Sequence, residues 1–314
     1  MPHVTFIHGI SNKPPAGELS RLWLDTLADQ GLDLESQGVS SSMVYWADLL
    51  YPAPLREAEY ESAGDPELED LPDVGTGWIA RAGDEEADFI RKLAAGIGYH
   101  ELDTDDQDPT DEAVAGSTGF ERVPLPWFIK RRLMKILLRD VHHYLFDAEF
   151  SPRPGIKHRI QHDIRERAVE VMRRGAEQPG PHVIIAHSLG TVIAYDCLKR
   201  VEDSPTVDAL ITVGSPLGID EIQDRLRPQW TRASGFPSER VRLRWVNVYD
   251  RLDPVAGLDP VLGNDYRHRD ISTVEDIHEP NWGRWRHSIT KYLAGRRLRE
   301  SIAHLLELDR GRDA

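Results

Sequence analysis

A single cysteine, Cys197, stands in 314 residues, which excludes an intrachain disulfide and a cysteine-based metal cluster. Positive charge is scarce as well: 38 Lys and Arg face 53 Asp and Glu, a formal net charge of −15. A nucleic-acid footprint needs a basic stripe to neutralise phosphates, so that class of partner is excluded, and adhesion to anionic membranes is disfavoured. Nowhere do about 18 apolar residues run together, so no integral membrane segment is expected. Met1 to Ile10 lack both a basic start and a long apolar stretch, and a soluble, cytoplasmic protein is expected. Two further patterns are missing, the glycine-rich lysine loop of phosphate sites and the Gly-x-Gly-x-x-Gly spacing of dinucleotide sites. His158 and His162 stand at i and i+4 on an expected helix. No Glu follows His158 and no clear third ligand is near, so no metal is assigned. No cofactor is implied.

With 40% apolar residues the chain can bury one substantial core. One domain over 1–314 is expected, carrying an insertion at 52–150. Strand patterns fall at His3–Ile7, Ser41–Tyr45, Val183–Ile185, Leu210–Val213, Arg242–Tyr249 and Asp270–Val274. Helical spacing falls between them, at Gly17–Gln30 (Leu19, Leu22, Leu24, Leu27), near Gly155–Arg174, after Ser188, and over Trp285–Leu308. Such alternation predicts an α/β fold: a mostly parallel central sheet with helices on both faces. Inside the insertion, residues 57–112 hold nineteen Asp and Glu against three Lys and Arg. That density predicts a solvated, partly disordered segment. From 126 to 147 an apolar stripe (Phe128, Leu133, Leu137, Val141, Tyr144) runs beside Lys130, Arg131, Arg132, Lys135 and Arg139. This is one amphipathic helix, which either packs on the core or serves as a lid or interfacial lipid contact.

The chemistry concentrates in His182-Val183-Ile184-Ile185-Ala186-His187-Ser188-Leu189-Gly190-Thr191. The β-branched run Val183-Ile184-Ile185 precedes Ser188, and Val192, Ile193, Ala194 and Cys197 after it fit one helix face. Ala186 and Gly190, two before and two after the serine, are small enough for close backbone approach. The pattern resembles the nucleophile elbow of the α/β-hydrolases, small-x-Ser-x-Gly, with Ala186 where Gly is commoner, and its His-Ser core looks like the lipase and esterase branch. Gly214-Ser215-Pro216 also resembles that branch, and within the superfamily the chain looks most like lipase-like proteins related to the inositol-deacylase group. The likeness covers about Met1–Trp46 and Gly155–Leu308, leaving out the acidic insertion. It implies an α/β-hydrolase fold with Ser188 as nucleophile.

A serine hydroxyl is a poor nucleophile at neutral pH and needs an imidazole base, held by a carboxylate. The resemblance implies the order serine, acid, histidine, each on a loop after a strand. The acid is Asp253, favoured by its Asp-Pro-Val turn, or Asp250 in the same loop. Among thirteen histidines, His287, His278 and His268 lie downstream of the acid in plausible loops. His287, at the mouth of the closing helix, stands where the family places its base. Phe6-Ile7-His8-Gly9-Ile10 resembles the oxyanion loop of bacterial lipases, implying the Ile10 amide as one donor and Leu189 as the other, with His8 bracing the loop. The expected reaction is hydrolysis of a small-molecule or lipid carboxylic ester, less readily a thioester or amide, through an acyl-enzyme. The alternative is a catalytically weak hydrolase fold that binds a basic protein through its acidic insertion.

Overall fold

The computed structural model describes residues 1–55, 74–97, 99, 127–269, 271–283 and 285–308. Its centre is a six-stranded sheet: β1 (His3–Ile7), β2 (Ser40–Val44), β3 (His182–His187), β4 (Val207–Val213), β5 (Val241–Tyr249) and β6 (Val274–His278). The spatial order is β6-β5-β4-β3-β1-β2, and every neighbouring pair is parallel. Strand residues alternate between two faces, and the burial follows: Val183 and Ile185 join one apolar cluster, Ile184 and Ala186 the other. Central parallel strands covered on both faces read as continuous apolar runs, which is the pattern of β3, buried along its whole length.

Helices α1 (Ala16–Asp29), α7 (Ile289–Ala294) and α8 (Arg296–Leu305) supply Trp23, Tyr292 and Ile302 to one cluster. On the opposite face lie α2 (Asp84–Gly96), α3 (Trp127–Leu145), α4 (Ile160–Ala176) and α5 (Leu189–Arg200). Helix α6 (Asp220–Arg225) follows the loop after β4. Strand order reverses between β1 and β3, so the connections leaving their carboxyl ends part in opposite directions. In open α/β sheets that divergence makes a crevice. The loop 8–12 and Ser188 stand at it.

Several expectations shift. The strand expected at Asp270–Val274 is Val274–His278, and Ile271–Ser272 pairs instead with Arg267–His268 in a small antiparallel ribbon. Its polar composition hid it: Asp276 accepts from Asn247 Nδ2 and from the Leu262 and Gly263 amides, so an acid is at home in that strand. The closing helix breaks at Gly295, whose backbone is extended (φ −65°, ψ 134°). His158 lies on a two-residue strand before α4, and both His158 and His162 hydrogen-bond Asp163.

The acidic segment 57–112 is not solvated throughout. Asp84–Gly96 is a packed helix that buries Phe89, Ile90, Leu93 and Ala94. Part of its charge serves it: Asp84, Glu85 and Glu86 occupy the first turn, where the helix dipole favours anions. The rest of that expectation, at 57–73, 98 and 100–112, falls outside the described residues. In α3, side chains from Leu133 to Leu145 are buried apart from Lys135, including Arg139, which pairs with Asp140. Over 133–145 its apolar stripe is packed into the core cluster beside the sheet.

Candidate active site

Ser188 stands between β3 and α5, as the N-cap of α5, at φ 55° and ψ −129°, a left-handed backbone that a residue with a Cβ avoids. Small neighbours make the corner possible. A Cβ on Gly190 would lie 2.5 Å from the Ile7 carbonyl oxygen and 2.6 Å from that of His8; one on Gly9 would lie 2.5 Å from Ser188 Cβ. Gly190→Ala is therefore expected to cost about 2–3 kcal/mol, because the obstructing atoms are backbone. Urea denaturation measures it, and an unchanged midpoint would refute the close approach.

Ser188 Oγ lies 2.9 Å from His287 Nε2, and His287 Nδ1 lies 2.8 Å from both carboxylate oxygens of Asp253. The partners fix the tautomer. An ionised carboxylate only accepts, so Nδ1 carries the proton and Nε2 is left to accept from the serine hydroxyl. Asp253 is held by four donors: the amides of Val255 and Ala256, His287, and the Tyr292 hydroxyl at 2.7 Å. Burial first, then the Asp253 charge, pushes the Tyr292 phenol well above its ordinary pKa, which keeps it a donor. Gly214 packs on this pair at φ 57°; a Cβ there would sit 3.1 Å from Asp253 Oδ2 and 3.3 Å from His287. All three residues are nearly buried, Ser188 at 1% exposure.

The other candidates lie elsewhere. Asp250 accepts from the Leu252 and Asn281 amides and from Arg286 Nη1, so it braces the acid loop and does not touch His287. His278 ends β6, 4.0 Å from Asp250, and His268 sits in the small ribbon; neither touches Ser188.

The loop after β1 faces the serine. His8 is buried, and burial followed by the nearby Lys13 charge holds its pKa well below the ordinary value. It is therefore neutral, donating from Nδ1 to the Gly9 carbonyl and accepting the Trp46 amide at Nε2. The N–H and C=O of a trans peptide point in opposite directions. With the Gly9 carbonyl turned to His8, the Ile10 N–H points away from that ring. Neither the Ile10 nor the Leu189 N–H meets a hydrogen-bond acceptor among the described residues. Leu189 is buried and Ile10 half-buried, and they flank the serine, Leu189 in sequence and Ile10 beside Gly9, which packs against it.

Three contributors were not foreseen in these roles. His187 donates from Nε2 to the His287 carbonyl at 2.9 Å and so ties the elbow to the histidine loop. Burial, then proximity to His287, holds it neutral. Tyr292 lies five residues after His287, inside the helix that begins at Ile289, and that spacing alone gives no same-face signal. Lys13 reaches back to the carbonyls of Ile10, Ser11 and Asn12; its nearness to His8-Gly9-Ile10 was the only signal.

No family model and no curated protein matches this chain. Among solved structures it is similar to the crystal structure of an uncharacterized protein from Pseudomonas aeruginosa, at 10% identity and a TM-score of 0.28, over 89% of this chain. The chain spans 40% of that protein's length. At so low a score the likeness informs neither fold family nor function, and the chemistry must be read from the residues themselves.

Proposed function

We propose that the protein is a serine hydrolase of α/β-hydrolase type that cleaves carboxylic esters through an acyl-enzyme. The observation that carries this reading is the unbroken chain Ser188 Oγ to His287 Nε2 to Asp253, at 2.9 and 2.8 Å, set on a positive-φ corner. Ser188 Oγ attacks the ester carbonyl carbon while its proton passes to His287 Nε2. The resulting imidazolium, steadied by Asp253, gives that proton to the leaving alkoxide as the carbon–oxygen bond breaks. Water then attacks the acyl-serine with His287 again as base, releasing the acid and restoring the serine. The Ile10 and Leu189 amides take the negative charge on the carbonyl oxygen; in other enzymes one such donor is worth about 3 kcal/mol of barrier. Leu189 is the first residue of α5, so the helix dipole adds to it.

A fluorophosphonate probe tests the reading, since an activated serine displaces its fluoride and is phosphonylated. Wild type should be labelled and Ser188→Ala should not. A folded wild type left unlabelled would defeat the enzyme and favour a binding role for the acidic insertion. Nitrophenyl esters from acetate to palmitate then rank chain length.

A further inference from the structure

Ser11 has φ 74°, again in the left-handed region and again without being glycine. Something must hold it there. Its N–H donates to Asp140 Oδ2 at 3.0 Å, across 129 residues of sequence. The carbonyl of the same peptide unit, that of Ile10, accepts from Lys13 Nζ. One peptide plane is thus gripped at both ends, by a carboxylate on its donor side and an ammonium on its acceptor side. Both groups are buried, Asp140 at 0% and Lys13 at 5% exposure. The preceding plane is held by His8 through the Gly9 carbonyl. Two consecutive planes fixed in this way leave the backbone of Ile10 no freedom, and the direction of its N–H is set.

Asp140 is itself clamped. Oδ1 accepts from Arg139 Nε and Nη2 at 2.9 and 2.7 Å, and Oδ2 accepts from the Tyr51 hydroxyl at 3.1 Å. Burial, then the Asp140 charge, pushes the Tyr51 phenol well above its ordinary pKa, so it stays a donor. A buried Arg–Asp pair could be satisfied within α3 alone. Here Oδ2 is turned outward to the loop instead.

We infer that Asp140, with Lys13 at the opposite end of the Ile10–Ser11 peptide, is a positioning residue that aims the Ile10 amide at the substrate's carbonyl oxygen. This rests on the hydrolase reading above. It gives the helix from the insertion a task in the reaction without contact to substrate: α3 anchors the oxyanion loop. Without the anchor, the loop relaxes from a backbone that serine disfavours, and the donor turns with it.

Two double variants test this, because each removes the buried ion pair as a unit and leaves no stranded charge. Arg139→Met/Asp140→Asn keeps an oxygen for the Ser11 amide; Arg139→Met/Asp140→Leu does not. On p-nitrophenyl butyrate the leucine variant should lose about 10- to 100-fold in kcat, with KM within about twofold. The asparagine variant should stay within about threefold of wild type. Equal kcat in the two variants, or a loss carried wholly by KM, overturns the inference while leaving the hydrolase standing. Should the leucine variant not fold, Lys13→Met against Lys13→Gln asks the same question at the carbonyl end, with the same expected split. A wild type that neither turns over the ester nor takes the probe overturns both readings together.

Discussion

Replacing His287 with glutamine should lower ester turnover by about 10⁴- to 10⁶-fold and move the melting temperature by only a few degrees. The glutamine amide retains bulk and a donor for Asp253, so the cavity and the buried carboxylate stay satisfied. What disappears is, among the described residues, the group placed to take the Ser188 proton, since Nε2 stands 2.9 Å from that oxygen. His278→Gln and His268→Gln should stay within about threefold of wild type, because neither ring touches the serine. Michaelis–Menten kinetics and a thermal melt on the same three samples decide the matter. A surviving His287→Gln, or an equal loss in His278→Gln, would end the assignment.

The two aspartates separate by the same logic. Asp253→Asn presents an amide to His287 Nδ1, which turns that nitrogen into an acceptor and puts the proton on Nε2, the wrong side for a base. Turnover should fall by about 10⁴-fold. Asp250→Asn leaves the histidine untouched and weakens the hold on Arg286 and on the Asn281 amide, so its effect belongs to stability.

The core was legible where local pattern and tertiary role coincide. Val183–Ile185 is apolar because it is buried on both faces, and Ala186, Ser188 and Gly190 are spaced as a tight strand-to-helix corner demands. Both appear in any reading of the chain. β6 failed that test, since Asp276 is satisfied by partners from β5 and a loop that no local window contains. Helix α2 was masked by charge that its own first turn and its neighbours absorb. Asp140 was beyond reach altogether. Its neighbour Arg139 looked like part of a basic face, whereas the pair is buried and turned to a loop 129 residues away. A contact of that range leaves no periodicity behind.

Acid should unfold this protein early, between about pH 5 and pH 4, and the cause lies in its buried histidines. Burial, and secondarily the neighbouring His3, lowers His182 from 6.5 to about 4; burial, then His142, lowers His143 to about 3. His8 and His187 are driven well below their ordinary value, again by burial first. In the unfolded chain all four take up a proton near pH 6.5. In the folded protein they do not, so below that point the unfolded state binds more protons and stability falls with pH until each folded pKa is reached. Above pH 6.5 these groups have no effect on stability. A single such histidine costs up to about 1.4 kcal/mol per pH unit, and His182 alone accounts for about 3 kcal/mol by pH 4. His143 adds a similar amount over the same window, and His8 and His187 act in the same direction. Their sum matches the whole stability of an ordinary domain, about 5–15 kcal/mol. Urea midpoints from pH 8 to pH 4.5 should therefore be flat at the upper end and drop steeply below 6.5. His182→Gln should flatten that drop by about one proton, since Thr5, which meets the ring at 2.8 Å, can pair with an amide as well. A midpoint that holds steady from pH 6.5 to pH 5 would mean that these rings are protonated inside the fold, and the neutral roles given to His8 and His187 at the elbow would fail with it.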